Sequence, residues 1–345
     1  MTQLDDDLAA AQDRPDSGKG RTTLDKGPPA SPESATGKPP APPLTWRNRL
    51  FRDKVLLLVT LPGIAGLLTF HYLPLLGNVI AFKDYQPYIG ILDSPWTGLA
   101  NFHVIYDGDP AFRNALINTL IITLLQVLVV FPAPIALALL LDSLLSERLK
   151  RIVQSVLYLP HFLSWVIVVA IFYQLLGDSG LMNNFLRHND LGTVSIVGQP
   201  ELFKTLITGQ VLWKEAGWAT ILFLAALARI DLALYEAAAV DGANRWRQLW
   251  HVTLPGLRSI IILLLILRLG DALTVGFEQI LLQQTAVGQQ ASEVLDTYVY
   301  NNGILAGEWG VSAAVGLVKG LVGLLLILGA NKLAHRLGEQ GIYQK

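Results

Sequence analysis

The sequence predicts an all-α membrane protein with six transmembrane helices. Of its 345 residues, 52% are hydrophobic and only 15% charged, far more apolar than an ordinary soluble domain. Six apolar runs are each long enough to cross a hydrocarbon core of about 30 Å, which takes roughly 20 helical residues. In lipid the backbone must bond internally, which leaves helices for runs of this kind.

Residues 1–45 form a low-complexity stretch rich in Pro, Asp, Gly, Ser and Ala. Too little apolar area is available there to offset chain entropy, so a disordered cytoplasmic tail is expected. No apolar stretch precedes residue 55, and no cleavable signal peptide is expected. Arg47, Arg49, Arg52 and Lys54 then lead into a transmembrane domain, 46–345. Its spans are placed at about 55–80, 114–141, 153–176, 205–228, 257–282 and 311–335. Prolines 62, 74, 132, 134 and 160 lie in or at the ends of these spans and are expected to kink rather than break them. With both termini inside, the cytoplasmic segments, with Arg258 and Lys332 at the inner ends of their spans, carry 19 of the 26 Lys and Arg, against four in the outer loops. That asymmetry predicts both termini in the cytoplasm.

The longest polar-bearing stretch between two apolar runs in the second half is Asp231–Pro255, DLALYEAAAVDGANRWRQLWHVTLP. Asp231 suits the cap of a first short helix, with Leu232, Tyr235 and Ala239 on one face. Asp241-Gly242 reads as a turn, because Gly adopts positive φ without steric penalty. Asn244 suits the cap of a second helix, with Trp246, Leu249 and Trp250 on one face. Pro255 is expected to break the chain before the next apolar run. By the charge count, this helix–turn–helix block lies in the cytoplasm.

Ionisable groups at membrane depth need partners or water. Arg268 and Asp271 are three apart and expected to neutralise one another. Lys214 and Glu215 point in different directions and are expected to seek partners on other helices. Lys319 and Glu278 complete the set. Trp165, Phe172 and Tyr173 in the third span and Trp213 and Trp218 in the fourth offer flat aromatic faces within the membrane. The candidates for a substrate path are Trp165, Tyr173, Lys214, Glu215, Trp218 and Glu278. Trp218 is favoured over Trp213, because Lys214 and Trp218 share a face.

Several chemistries are absent. There is no cysteine, hence no thiolate site. There is no phosphate-cradling G-x-x-x-x-G-K-[ST] run and no HExxH. The six histidines show no metal spacing, and no nucleophile sits in a recognisable setting. An enzyme is not expected.

Glu236-Ala237-Ala238, Gly242 and Leu254-Pro255 resemble the EAA loop of bacterial ABC-importer permeases. AFKDYQPYIGILDSPWTGLANF (81–102), YLPHFLSWVIV (158–168), WKEAGW (213–218), LYEAAAVDGANRW (234–246), VGFEQI (275–280) and DTYVY (296–300) narrow the resemblance. It is to carbohydrate-uptake permeases of the oligosaccharide or polysaccharide (LplB-like) group, from about residue 47 onward. That implies the type I importer permease fold. It also implies a coupling loop in which Tyr235, Glu236, Ala237, Ala238, Asp241, Gly242, Trp246, Leu254 and Pro255 meet an ATPase subunit. The implied partners are a cytoplasmic ABC ATPase dimer, a second and related permease, an extracytoplasmic sugar-binding protein and membrane lipid, with no nucleic acid. No cofactor is expected on this chain, since ATP and Mg would belong to the ATPase. The competing reading is an ion-gradient-driven secondary transporter of a polar solute, which predicts interrupted helices at matching positions of two repeats. A membrane scaffold or sensor is a third, and it leaves the intramembrane charges unexplained.

Overall fold

The computed structural model describes residues 54–336 and Gly338. The 1–45 tail and Arg47, Arg49 and Arg52 lie outside them. The chain divides into two compact units, 1–63 and 64–345. In the first, residues 54–63 are helical and contain Pro62.

Five helical stretches are long and apolar enough to cross a membrane: Lys54–Phe82, Pro110–Asp142, Trp165–His188, Arg245–Gly270 and Trp309–Arg336. A sixth, Pro200–Leu227, qualifies together with Leu232–Val240, from which it bends by 71°. Among the described residues, the β pairing is a single bridge between Lys83 and Trp96. The helices used below are α1 (Pro110–Leu125), α2 (Pro132–Asp142), α3 (Glu147–Tyr158), α4 (Trp165–Leu176), α5 (Pro200–Leu227), α6 (Leu232–Val240), α7 (Leu254–Gly270), α8 (Leu295–Tyr300) and α9 (Trp309–Arg336).

Three prolines are carried by one device. Pro74, Pro132 and Pro255 each come two residues after a five-residue π-turn, at Leu68–Tyr72, Gln126–Val130 and Leu249–Thr253. The residue before each proline donates five back: Leu73 to Leu68, Phe131 to Gln126 and Leu254 to Leu249. In an α-helix the proline ring meets the carbonyl four residues earlier. The wider π register draws that carbonyl aside, and the helical path continues. The expected break at Pro255 is therefore corrected: Arg245–Gly270 is one continuous helical stretch.

Two spans are broken where the sequence suggested continuity. The third, expected at 153–176, consists of α3, a 3-10 turn Leu159–Phe162, extended Leu163 and Ser164, and α4. Pro160 thus sits in a true break. Ser164 restarts the helix by accepting from Ile167 N at 3.4 Å. The fifth, expected to reach residue 282, ends at Gly270. Gly270 has no room for a side chain, since an added Cβ would lie 2.6 Å from the Ile327 side chain of α9. A turn follows, Thr274 N bonding Asp271 O at 2.8 Å, and then Gly276 at φ +103° opens the short helix Phe277–Leu281.

Breaks at membrane depth leave backbone groups that lipid cannot satisfy. One side of Pro110–Val130 supplies the partners. Asn114 donates to Gln290 O (2.8 Å), Asn118 to Glu293 O (2.9 Å) and Thr123 to Ala272 O, while Thr119 Oγ1 accepts from Leu295 N (2.9 Å). Further along, Gln126 accepts from Arg268. A second tie is a buried amide triad: Gln210 of α5 accepts from Gln279 (2.6 Å) and Gln283 (3.0 Å). At the other end of the bundle, Ala138, Phe223, Leu227 and Leu257 form a core that joins α2, α5 and α7.

Candidate functional site

The block after α5 folds as its capping residues dictate. Asp231 accepts from Ala233 N at 3.0 Å and starts α6. Gly242, at φ +76°, ends it. Ala243 N donates to Ala238 O (2.8 Å) and Gly242 N to Ala239 O (3.0 Å), the paired closure that a left-handed residue after a helix permits. Asn244 accepts from Arg247 N at 3.0 Å and starts Arg245–Gln248. The two arms are tied by Tyr235 Oη and Thr253 Oγ1 at 3.0 Å. At the base, an added Cβ on Gly256 would lie 2.7 Å from Ile230. Tyr235, Ala238 and Leu254 are half-buried, and Glu236, Ala237, Asp241, Gly242, Trp246 and Pro255 are exposed. Large apolar side chains stand in the open on this block: Val240 is 87% exposed, Trp246 68% and Trp250 63%. An exposed apolar surface of this kind is suited to contact with another molecule.

A second group of residues gathers at the break in the third span. Lys214, near the middle of the 28-residue α5, is buried. Its ammonium donates to His161 O at 2.6 Å and Leu163 O at 2.7 Å, the carbonyls freed by the break. It also lies 5.5 Å from the centre of the Trp165 ring. Glu215 accepts from or pairs with His161 Nδ1 at 2.9 Å and lies 3.9 Å from Lys214 Nζ. The pair expected to look in different directions therefore converges on one segment. The His161 ring stacks on Trp218 at 4.6 Å and 3°, whereas Trp213 meets Phe172 edge-on at 5.8 Å. The Glu215 side chain is 37% exposed. A carboxylate at that depth is costly against hydrocarbon. The face of α5 carrying Glu215 and Trp218 is thus suited to water or a polar path.

The remaining candidates are scattered. Tyr173 lines a cleft of about 580 Å³ with Gln174, Asp178 and Ser179 at the far end of α4. The Glu278 side chain is exposed on Phe277–Leu281 and makes no hydrogen bond or ion pair among the described residues. Arg268 and Asp271 do not pair within 4 Å as expected, because α7 ends between them and Arg268 turns to Gln126. Lys319 pairs with Asp296 of α8. His161, Gln126 and Asp296 were not singled out by the sequence. For His161 a signal existed in the Pro160 that precedes it. Asp296 opens the DTYVY motif that carries the resemblance, though no role was attached to it, and Gln126 had no signal.

Residues 130–339 match the family model described as "Binding-protein-dependent transport system inner membrane component". This chain belongs to that family. The permease is 46% identical over 86% of its length to the polygalacturonan/rhamnogalacturonan transport system permease protein YteP of Bacillus subtilis, covering 92% of that protein. It is 44% identical over 87% of its length to Protein LplB of the same organism, covering 94% of it. Among solved structures, it resembles a chain of a bacterial ABC transporter involved in the import of the acidic polysaccharide alginate. The TM-score is 0.77 at 36% identity, with 84% of this chain and 97% of that one covered. A second structure, of that type of transporter with an alginate pentasaccharide-bound periplasmic protein, gives 0.78 at 36% identity, covering 85% and 98%. The fold is that of a type I importer permease. The permease is a multi-pass inner-membrane component of a binding-protein-dependent importer, and permeases of this family are not themselves catalytic. Its interrupted helices are the third and fifth, which do not correspond in two three-span repeats, so they give the secondary-transporter reading no support.

Proposed function

We propose that this permease is one of two related chains lining the path of an ATP-driven saccharide importer, with both termini cytoplasmic. The observation that carries the proposal is the Asp231–Thr253 block, folded and apolar-faced, at the end of the 28-residue α5, whose middle holds Lys214, Glu215 and Trp218. ATP and Mg would lie on a cytoplasmic ATPase dimer, and this chain would hold no cofactor. An ATPase dimer offers two grooves and this chain one block, so a second permease is needed. Saccharide cargo is supported by the names of the relatives and by the aromatic face of Trp218 beside a carboxylate. Closure of the ATPases would draw the two blocks together and tilt α5, exposing the path to the binding protein on the opposite side. Nucleotide would bias this two-state element.

A protein with a phosphate-cradling loop should co-purify with the permease from detergent. Recovery of the chain alone from otherwise active membranes would overturn the ATPase reading. Gly242→Val should insert normally yet lower uptake about tenfold, since a left-handed backbone costs a side-chain-bearing residue roughly 1–2 kcal/mol. Nothing lies within 4 Å of the added Cβ, so this effect is one of backbone alone. Glu236→Ala should keep the helix, Ala being the better helix former, and weaken ATPase docking measured by co-elution.

Orientation is tested by a reporter active only outside the cytoplasm, expected to be silent after Gly242 and active after Asn189. The opposite pattern reverses the topology. Trp218→Ala is expected to lower cargo-stimulated ATP hydrolysis while basal hydrolysis and assembly stay intact. Trp213→Ala, which loses its contact with Phe172, should chiefly lower the amount of complex recovered. An exchange of these two phenotypes would mean that the other face of α5 borders the path.

A further inference from the structure

α3 has one partnered face and one bare face. Its partnered face lies on α5, where Leu157 approaches Gly217. On the bare face Leu149, Ile152, Val156 and Leu159 are 48–65% exposed. Their i, i+3, i+7, i+10 spacing makes a continuous stripe. Arg148 and Arg151, neighbours on the helix surface, stand at its N-terminal end. With Ile152, Ser155 and Val156 they line a shallow, open depression of about 450 Å³ on the helix surface. Among the described residues neither guanidinium forms an ion pair or a side-chain hydrogen bond. Lys150 points elsewhere, 3.7 Å from Asp142 at the end of α2. Glu147, four residues before Arg151, is not within ion-pair distance of it.

The stripe spans about 15 Å from Leu149 to Leu159 at 1.5 Å per residue. Leu157 meets α5 ten residues before that helix ends at Leu227. The stripe therefore runs beside the half of α5 nearest the Asp231–Thr253 block, and the arginines stand at the end where Lys150 meets Asp142 of α2. Two unpaired guanidiniums followed by an apolar stripe match one kind of occupant. A phosphate accepts forked N–H pairs from Arg, and basic clusters at a membrane edge recruit anionic headgroups. We propose that α3 is a binding site for an anionic phospholipid, its phosphate on Arg148 and Arg151 and its acyl chain along Ile152 and Val156. The proposal rests on the membrane embedding of this family and is independent of the cargo and of the ATPase reading.

The chain has no cysteine, so Ile152→Cys gives a single nitroxide position once any cysteines of the co-eluting subunits are replaced by Ser. The full chain with its co-eluting subunits is placed in nanodiscs of phosphatidylcholine mixed with phosphatidylglycerol. The nitroxide should be reached by oxygen and not by a water-soluble nickel chelate. Access by the chelate would mean a solvated face, and shielding from both would mean a protein partner; either overturns the proposal. In a second arm, spin-labelled phosphatidylglycerol should be enriched severalfold over spin-labelled phosphatidylcholine at the protein surface. Arg148→Gln with Arg151→Gln should remove most of that preference, and the corresponding Lys pair should keep it. No preference in the unaltered chain, or one unchanged by the Gln pair, overturns the proposal.

Discussion

Gly217→Val is expected to abolish uptake and to leave little assembled permease. An added Cβ at residue 217 would lie 2.6 Å from the carbonyl carbon of Leu157, closer than side chains come to backbone. The obstacle is main chain and cannot swing aside, so α3 and α5 must separate. Overpacking of this kind typically costs about 1–3 kcal/mol, and here it falls beside the contacts that close the third span. Lys214 is bonded to the carbonyls of His161 and Leu163, and Trp218 is stacked on His161. Displacing α3 strains all of them together. The check is recovery of monodisperse protein after detergent extraction, followed by uptake into proteoliposomes. Wild-type uptake by Gly217→Val would show that the third and fourth spans do not meet at this point.

Lys214→Met carries the second large effect. Methionine is nearly isosteric along the stem but donates nothing, so two carbonyls in the break lose their donor at membrane depth. Each buried group left unsatisfied costs about 1–3 kcal/mol, and Glu215 loses the cation 3.9 Å away. Recovery of the complex is expected to fall at least as much as transport, with Lys214→Arg partly restoring both. Normal recovery with lost transport would instead make Lys214 a contact for cargo. The experiment therefore decides between two roles for Lys214, closing the break in the third span and bordering the substrate path.

The Asp231–Pro255 block was legible because its signals are local. Asp231 and Asn244 cap their own helices, and Gly242 provides its own turn, so residues a few positions apart determine the result. Pro255 was misread for a complementary reason. Whether proline breaks a helix depends on the register of the turn before it, and the π-turn Leu249–Thr253 has no mark in composition. The Arg268–Asp271 pairing failed because spacing implies a shared face only while the helix continues, and α7 stops at Gly270.

The sequence by itself determined the class, the family and the folded block, and its six expected spans compare with five qualifying helices and a sixth that qualifies only with the bend after it. Those rest on hydrophobic runs, short capping motifs and chain-local text. Only the tertiary structure decided where the spans break and what makes the breaks tolerable. Asn118 bonds a carbonyl 175 residues away and Lys214 one 51 residues away. A backbone group exposed at membrane depth must find a donor or acceptor wherever the packed bundle brings one, and sequence spacing holds no record of that distance in space.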